Sequence, residues 1–169
     1  MRITVLAMGS IAALGLAGTA TAQDSSLNIG YQNIEAEGVD LGSIVGRWQL
    51  GLNEYLAVEG EISYGVTEEE VFGVDVKAGF GFGGFVVGRL PVSETGSHLF
   101  VRAGYANQEL EADGGNVTIS DSVDGFAYGA GGTFMFDGIN GVRLDYTKFE
   151  GDDDAEADII GLSYVRKLR

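Results

Sequence analysis

The stretch FAYGAGGTFMFDGINGVRLDYTKF, residues 126–149, decides the fold. Phe126, Tyr128, Ala130, Gly132, Phe134 and Phe136 alternate with Ala127, Gly129, Gly131 and Thr133. Beyond Asp137-Gly138-Ile139-Asn140, Val142, Leu144 and Tyr146 alternate with Arg143, Asp145 and Thr147. Period two is the side-chain period of an extended chain, and Asp, Gly and Asn suit a tight reversal. The stretch therefore predicts an antiparallel hairpin with one aromatic and aliphatic face. Its other face carries small residues and isolated charges.

Working outward, the same alternation recurs at Leu27-Ile29-Tyr31, Ile44-Gly46-Trp48-Leu50, Leu56-Val58-Gly60-Ile62-Tyr64, Val74-Val76-Ala78-Phe80-Phe82, Leu99-Val101-Ala103-Tyr105 and Ile160-Leu162-Tyr164. With the hairpin this makes eight predicted strands. Connections after the second, fourth and sixth are turns around 51–53, 91–98 and 137–140. Those after the first, third, fifth and seventh (35–40, 65–73, 109–124, 150–157) read as mostly longer, acidic loops that, with Asp158 at the end of the last, hold seventeen of the 25 carboxylates. In an up-and-down meander these four share one end, which is then strongly negative.

The second face decides between a soluble and a membrane barrel. It is expected to hold Arg47, Glu59, Glu61, Asp75, Lys77, Arg89, Arg102, Arg143 and Asp145 among Gly, Ala, Ser, Thr, Asn and Gln. Five cations against four anions is nearly neutral in a chain of net charge −15. A narrow lumen needs that balance, because an unpaired buried charge costs several kcal/mol. A hairpin centred on Asn53 would place Arg47 opposite Glu59 and Val45 opposite Glu61. The aromatic and aliphatic face is then left to meet lipid, as the outside of an eight-stranded antiparallel up-and-down transmembrane β-barrel.

Composition agrees. The chain has 169 residues, 28 of them Gly and one Pro, with no Cys and 45% hydrophobic residues. Zero Cys excludes disulfides, thiol catalysis and Cys-ligated metals, and the acidity argues against a nucleic-acid partner, since phosphates need a basic stripe. Met1-Arg2, the apolar run 3–17 and Ala20-Thr21-Ala22 read as a secretory signal peptide cleaved after Ala22, leaving 23–169 as the barrel. Uncharged stretches such as 78–88, eleven residues with five glycines, are too short and glycine-rich for a transmembrane helix.

With these features, the phrases LFVRAGYA (99–106), GVRLDYTKF (141–149) and GLSYVRKLR (161–169) resemble the small outer-membrane β-barrel proteins of the OmpA/OmpX and opacity type, often called the porin family. The resemblance implies a monomer in outer-membrane lipid and lipopolysaccharide, inserted by the barrel-assembly machinery. One departure is the last strand, where Tyr164 is followed by Arg166, Leu168 and Arg169 instead of a closing aromatic residue.

Motifs for chemistry are sparse. Gly79-Phe80-Gly81 and Gly129-Ala130-Gly131 fall within strands, so they are not phosphate loops. His98, the one histidine, follows Ser97 near Glu94, and reads as a solvated turn residue and not as part of a triad. Asp152, Asp153 and Asp154 are the candidate divalent-cation ligands, although the run lacks EF-hand spacing. No cofactor is expected. The sequence favours a non-enzymatic barrel with a structural or surface-interaction role. A small-solute pore is the alternative reading, and a lipid-modifying enzyme ranks third.

Overall fold

The computed structural model describes residues 24–36, 38–71, 74–113, 118–151 and 155–168. The side chains of 68–71, 74–76, 110–113 and 118–121 are outside that description. So are the expected signal peptide (1–22) and the run Asp152 to Asp154. The strands are β1 (Ser25–Ala36), β2 (Val39–Gly51), β3 (Leu56–Gly65), β4 (Glu68–Val71), β5 (Val74–Pro91), β6 (His98–Asp113), β7 (Thr118–Met135), β8 (Asn140–Gly151) and β9 (Glu156–Leu168).

Every neighbouring pair is antiparallel, and β9 returns to β1 from Ser25 opposite Leu168 to Glu35 opposite Asp158. β3 and β4 both pair with β5, so they are two lengths of a single stave. The result is the closed, eight-stave up-and-down barrel expected from the sequence. The third stave jogs at Val66 and Thr67, whose N–H groups both donate to the Gly42 carbonyl while Thr67 Oγ1 accepts from the Gly42 N–H.

Alternation places the small and polar residues inside. Asn28, Gln32, Ser43, Arg47, Gln49, Glu59, Ser63, Arg102, Thr133, Arg143, Asp145 and Thr147 are all buried. Leu27, Ile29, Trp48, Ile62, Phe82, Val86, Leu99, Val101, Phe134, Leu144, Ile160 and Leu162 stand exposed around the wall. An apolar wall this extensive is a lipid-facing surface, and closure leaves no unpaired strand edge to desolvate there.

Three expectations change on inspection of the ladder. First, Arg47 lies opposite Glu61 and Gln49 opposite Glu59, so the β2–β3 hairpin is centred one residue later than Asn53. Asn53 is not the apex because its Oδ1 accepts from the Tyr55 and Leu56 N–H groups, which shifts the reversal towards Glu54. Second, the register of β5 against β6 slips between Ala78 and Gly81, so Ala78 is fully buried and Lys77 turns outward. Lys77 Nζ sits 5.2 Å from the Tyr64 ring centroid, outside the lumen. A bulge shifts alternation by one residue, and that undoes a strict odd-even assignment upstream of it.

Third, the acidic connections are mostly strand. β6 and β7 keep pairing from Asn107 opposite Asp124 to Asp113 opposite Thr118, and β1 and β2 are joined through just 37–38, with Gly38 at φ 83. Thr118, Ile119 and Val123 favour extended backbone, and pairing satisfies its polar groups whatever the charge of the side chains. The acidic end is therefore a wall rising beyond the apolar band.

At the opposite end Asp137 Oδ1 accepts from the N–H groups of Ile139 (2.9 Å) and Asn140 (2.6 Å), with Gly138 at φ 77. The Asn140 backbone N–H, then its side chain and the Ile139 N–H, hold the Asp137 carboxyl down at about 2. A depressed folded-state pKa stabilises above the ordinary carboxylate range, and that stabilisation fades as pH falls through about 2. Asp137→Ala should lower the melting temperature at pH 7 and make no difference below pH ~2, as thermal scans across pH would show.

Glycine on the inner face makes room across the barrel. A Cβ at Gly131 would run into the Leu144 carbonyl oxygen and lie 2.7 Å from Phe100 Cζ, whereas one at outward-facing Gly84 would meet nothing within 4 Å. Gly131→Val should destabilise the barrel by at least ~1–3 kcal/mol, while Gly84→Ala should be tolerated. Heat-modifiable gel mobility and thermal unfolding distinguish the two.

Candidate functional site

The middle of the lumen is crossed by a closed ring of alternating charge. Arg47 Nε donates to Glu61 Oε2 (2.6 Å), and Arg102 Nη1 donates to the same oxygen (2.7 Å) and to Glu59 Oε1 (2.8 Å). Arg143 pairs with Glu59 and, through Nε, with Asp145 Oδ1 at 3.0 Å. Asp145 Oδ2 closes the ring onto Arg47 Nη2 at 3.3 Å. Each of the three arginines holds two carboxylates and each of the three carboxylates holds two arginines.

The strands impose this arrangement. Arg47 on β2, Glu59 and Glu61 on β3, Arg102 on β6, and Arg143 and Asp145 on β8 all sit on inward phases at mid-height. Further donors and acceptors complete the groups. Arg47 also donates to Ser163 and Gln32, Arg102 donates to Thr147 Oγ1, and Gln49 donates to Glu59. The guanidinium carbons of Arg102 and Arg143 lie 4.1 and 4.2 Å from the centroids of Phe85 and Phe100. Those cation–π stacks hold the guanidinium planes and replace part of the lost hydration. Phe85 and Phe100 escaped the sequence reading, although they share inward phase with Gly83 and Arg102.

Of the residues expected in the lumen, Arg47, Glu59, Glu61, Arg102, Arg143 and Asp145 are thus brought together. Lys77 is not. Arg89 lies below the ring at the turn end, donating to the Asn53 and Leu56 carbonyls. Asp75 aligns through its backbone with Glu70 and Asp113 in the acidic wall, and its side chain is outside the described residues.

Above the ring the lumen has an apolar cluster, with Ile34, Leu41 and Ala78 buried and Ile159 packed against them, beside buried Gln32, Ser43 and Ser63. A cavity of about 100 Å³ opens there. Below the ring the lumen is mixed, with buried Asn28, Gln49 and Thr133 among Ala57, Val87, Met135 and Val165. His98 is half-buried at the mouth of that half instead of solvated in the turn, its Nδ1 3.0 Å from the Gly96 carbonyl oxygen and its ring against Phe100. Ser97 Oγ accepts from the Met135 N–H, so the hydroxyl is engaged in joining turn to wall. Among the described residues no cluster of three or more His, Asp or Glu is arranged to hold a metal ion, and Asp152, Asp153 and Asp154 lie outside them.

A closed eight-stave wall with an apolar exterior and a charge-filled interior is a membrane barrel, and the family comparison says which kind. The profile described as outer membrane protein beta-barrel domain matches residues 3–167. The chain belongs to that family. Similar solved structures include the attachment invasion locus protein Ail of Yersinia pestis, with TM-score 0.66 and 17% identity over 88% of this chain and 100% of Ail. The N-terminal β-barrel domain of OprF from Pseudomonas aeruginosa aligns with TM-score 0.64 and 14% identity over 86% of this chain and 99% of the domain. OprG from the same organism gives TM-score 0.64 and 9% identity over 88% of this chain and 97% of its own. No curated relative matches the sequence. At these identities the likeness is one of fold.

Because the ring is neutral as built, removing one member leaves an uncompensated buried charge. Arg102→Leu should cost ~3–5 kcal/mol, and the double variant with Glu59→Gln should regain part of that loss. Urea unfolding of both variants in lipid vesicles provides the check.

Proposed function

We propose that the protein is a monomeric outer-membrane barrel with a structural or surface-interaction role, displaying its acidic end to the medium. The observation that carries this reading is the ion-pair ring. Six charged side chains, nearly all fully buried, cross the middle of the lumen, which argues against an open water path along the axis, while carboxylates gather at one end of the wall. The signal peptide would be removed after Ala22, and the barrel-assembly machinery would insert the chain despite its C-terminal Arg166, Leu168 and Arg169. The short turns at 52–55, 92–97 and 136–139 would face the periplasm.

Charge sets the partner class. One Ail structure is a complex with the heparin analogue sucrose octasulfate, a polyanion. The end of this barrel carrying Glu35, Asp40, Glu109, Asp124, Glu150, Glu156 and Asp158 has the opposite sign, so cationic surfaces are its complement. Towards lipopolysaccharide phosphates the same end is repulsive unless Mg²⁺ or Ca²⁺ bridges the two, and Asp152, Asp153 and Asp154 are the residues to contribute there.

Purified protein in a planar bilayer should give no steady conductance, and cysteines placed at Asp113 and Asp153 should label in intact cells while one at Asn53 should not. Discrete ion channels would favour the pore reading, and reversed labelling would invert the topology. Activity on lipid A in a hydrolase or acyltransferase assay would favour the enzyme.

A further inference from the structure

The cavity above the ring combines two features that the surface role does not use. Its wall is apolar, built from Ile34, Leu41, Ala78, Phe149 and Ile159, and its floor includes Glu61. Glu61 is the ring carboxylate open to this space. Its side chain is 11% exposed, while those of Glu59 and Asp145 are 0% exposed. Both of its arginine contacts use Oε2, and among the described residues Oε1 accepts no hydrogen bond. Ser63 and Gln108, joined at 3.3 Å, line the same cavity and add neutral acceptor oxygens.

Size and charge narrow the occupant. A cavity of about 100 Å³ has room for a body of about four or five carbons, since an engineered apolar cavity of ~150 Å³ takes benzene. Apolar walls hold water poorly, so such a body is favoured there over solvent. Glu61 Oε1 has a lone pair left to accept a further donor from the cavity side, while the carboxylate as a whole is held by Arg47 and Arg102. A primary ammonium has three donors and no acceptor, matching Glu61 Oε1, Ser63 Oγ and Gln108 Oε1. The acidic wall through which a ligand would enter concentrates cations.

We infer that the outer half of the lumen is a binding site for a small cationic amphiphile, a primary amine on a short apolar body, seated with its ammonium on Glu61. The site is closed at its floor by the ring, so it binds without passing the ligand on. It stands apart from the surface role and is tested apart from it.

The test uses the whole barrel in lipid nanodiscs with isotope-labelled isoleucine and leucine methyl groups, titrated with n-butylamine, n-butanol or butyrate at pH 7. Butylamine should shift the signals of Ile34, Leu41 and Ile159 saturably while lipid-facing Ile29, Leu144 and Leu162 stay put. Butanol should bind about tenfold more weakly, the worth of one charge-assisted hydrogen bond, and butyrate not at all. Ala157→Leu, which fills the cavity from β9 without touching the ring, should abolish the shifts and keep heat-modifiable folding. Glu61→Gln also unbalances the ring, so it is read in samples that keep heat-modifiable folding, where it should weaken butylamine about tenfold and leave butanol unchanged. Equal binding of amine and alcohol, shifts on both faces together, or full binding by the Ala157→Leu variant would overturn the inference.

Discussion

The ring formed by Arg47, Glu61, Arg102, Glu59, Arg143 and Asp145 is the constraint on which the rest of the lumen depends. Removing six charges from water costs several kcal/mol per ion, and an isolated pair regains that only with good geometry. Cyclic alternation gives every charge two opposite neighbours, and Ser163, Gln32, Thr147 and Gln49 take up further hydrogen bonds. The ring draws on four staves, so its members meet only when the barrel is closed in one register. A slip of one residue would turn a charge out to lipid.

Glycine makes that geometry reachable. Gly161 lies close enough to Asp145 and Arg47 that an added Cβ would sit 3.3 Å from the Asp145 carboxylate and 3.4 Å from Arg47 Nη2. Gly131 similarly admits the Phe100 ring, on which Arg143 stacks. The ring also divides the lumen along its axis. On its acidic side the interior holds Ile34, Leu41 and Ala78 beside Gln32 and Ser63, and on its turn side it holds Arg89, His98 and Thr133 beside Val87 and Met135. A binding half and a packed half follow from where six residues cross the barrel. Meanwhile the middle band of the exterior is apolar on every stave, because lipid imposes the same requirement all round.

Most of this architecture is legible along the chain because a strand writes its two faces into alternate positions. Residues 126–149 show both faces and the turn between them, and the observed β7–β8 hairpin keeps those faces, paired from Gly125 opposite Gly151 to Met135 opposite Gly141. The inward phases of Arg47, Glu59, Glu61, Arg102, Arg143 and Asp145 are equally legible. Lys77 fails for a local reason: a bulge between Ala78 and Gly81 resets the alternation, and nothing in Val74-Asp75-Val76-Lys77 marks the reset. The acidic segments mislead differently, since charge suggests loop while extended pairing depends on backbone and on residues such as Ile119 and Val123.

The sequence alone determined the closed all-β architecture, which face meets lipid and the inward phases of Arg47, Glu59, Glu61, Arg102, Arg143 and Asp145, though not the side taken by Lys77, because each of these follows from period two and composition. It did not determine who pairs with whom. Arg47 meets Glu61 and not Glu59 because Asn53 caps the first turn and moves its centre, and Arg47 meets Asp145 only because β9 closes against β1. Contacts across a lumen depend on register, bulges and closure together, and those are properties of the assembled barrel that no single strand encodes.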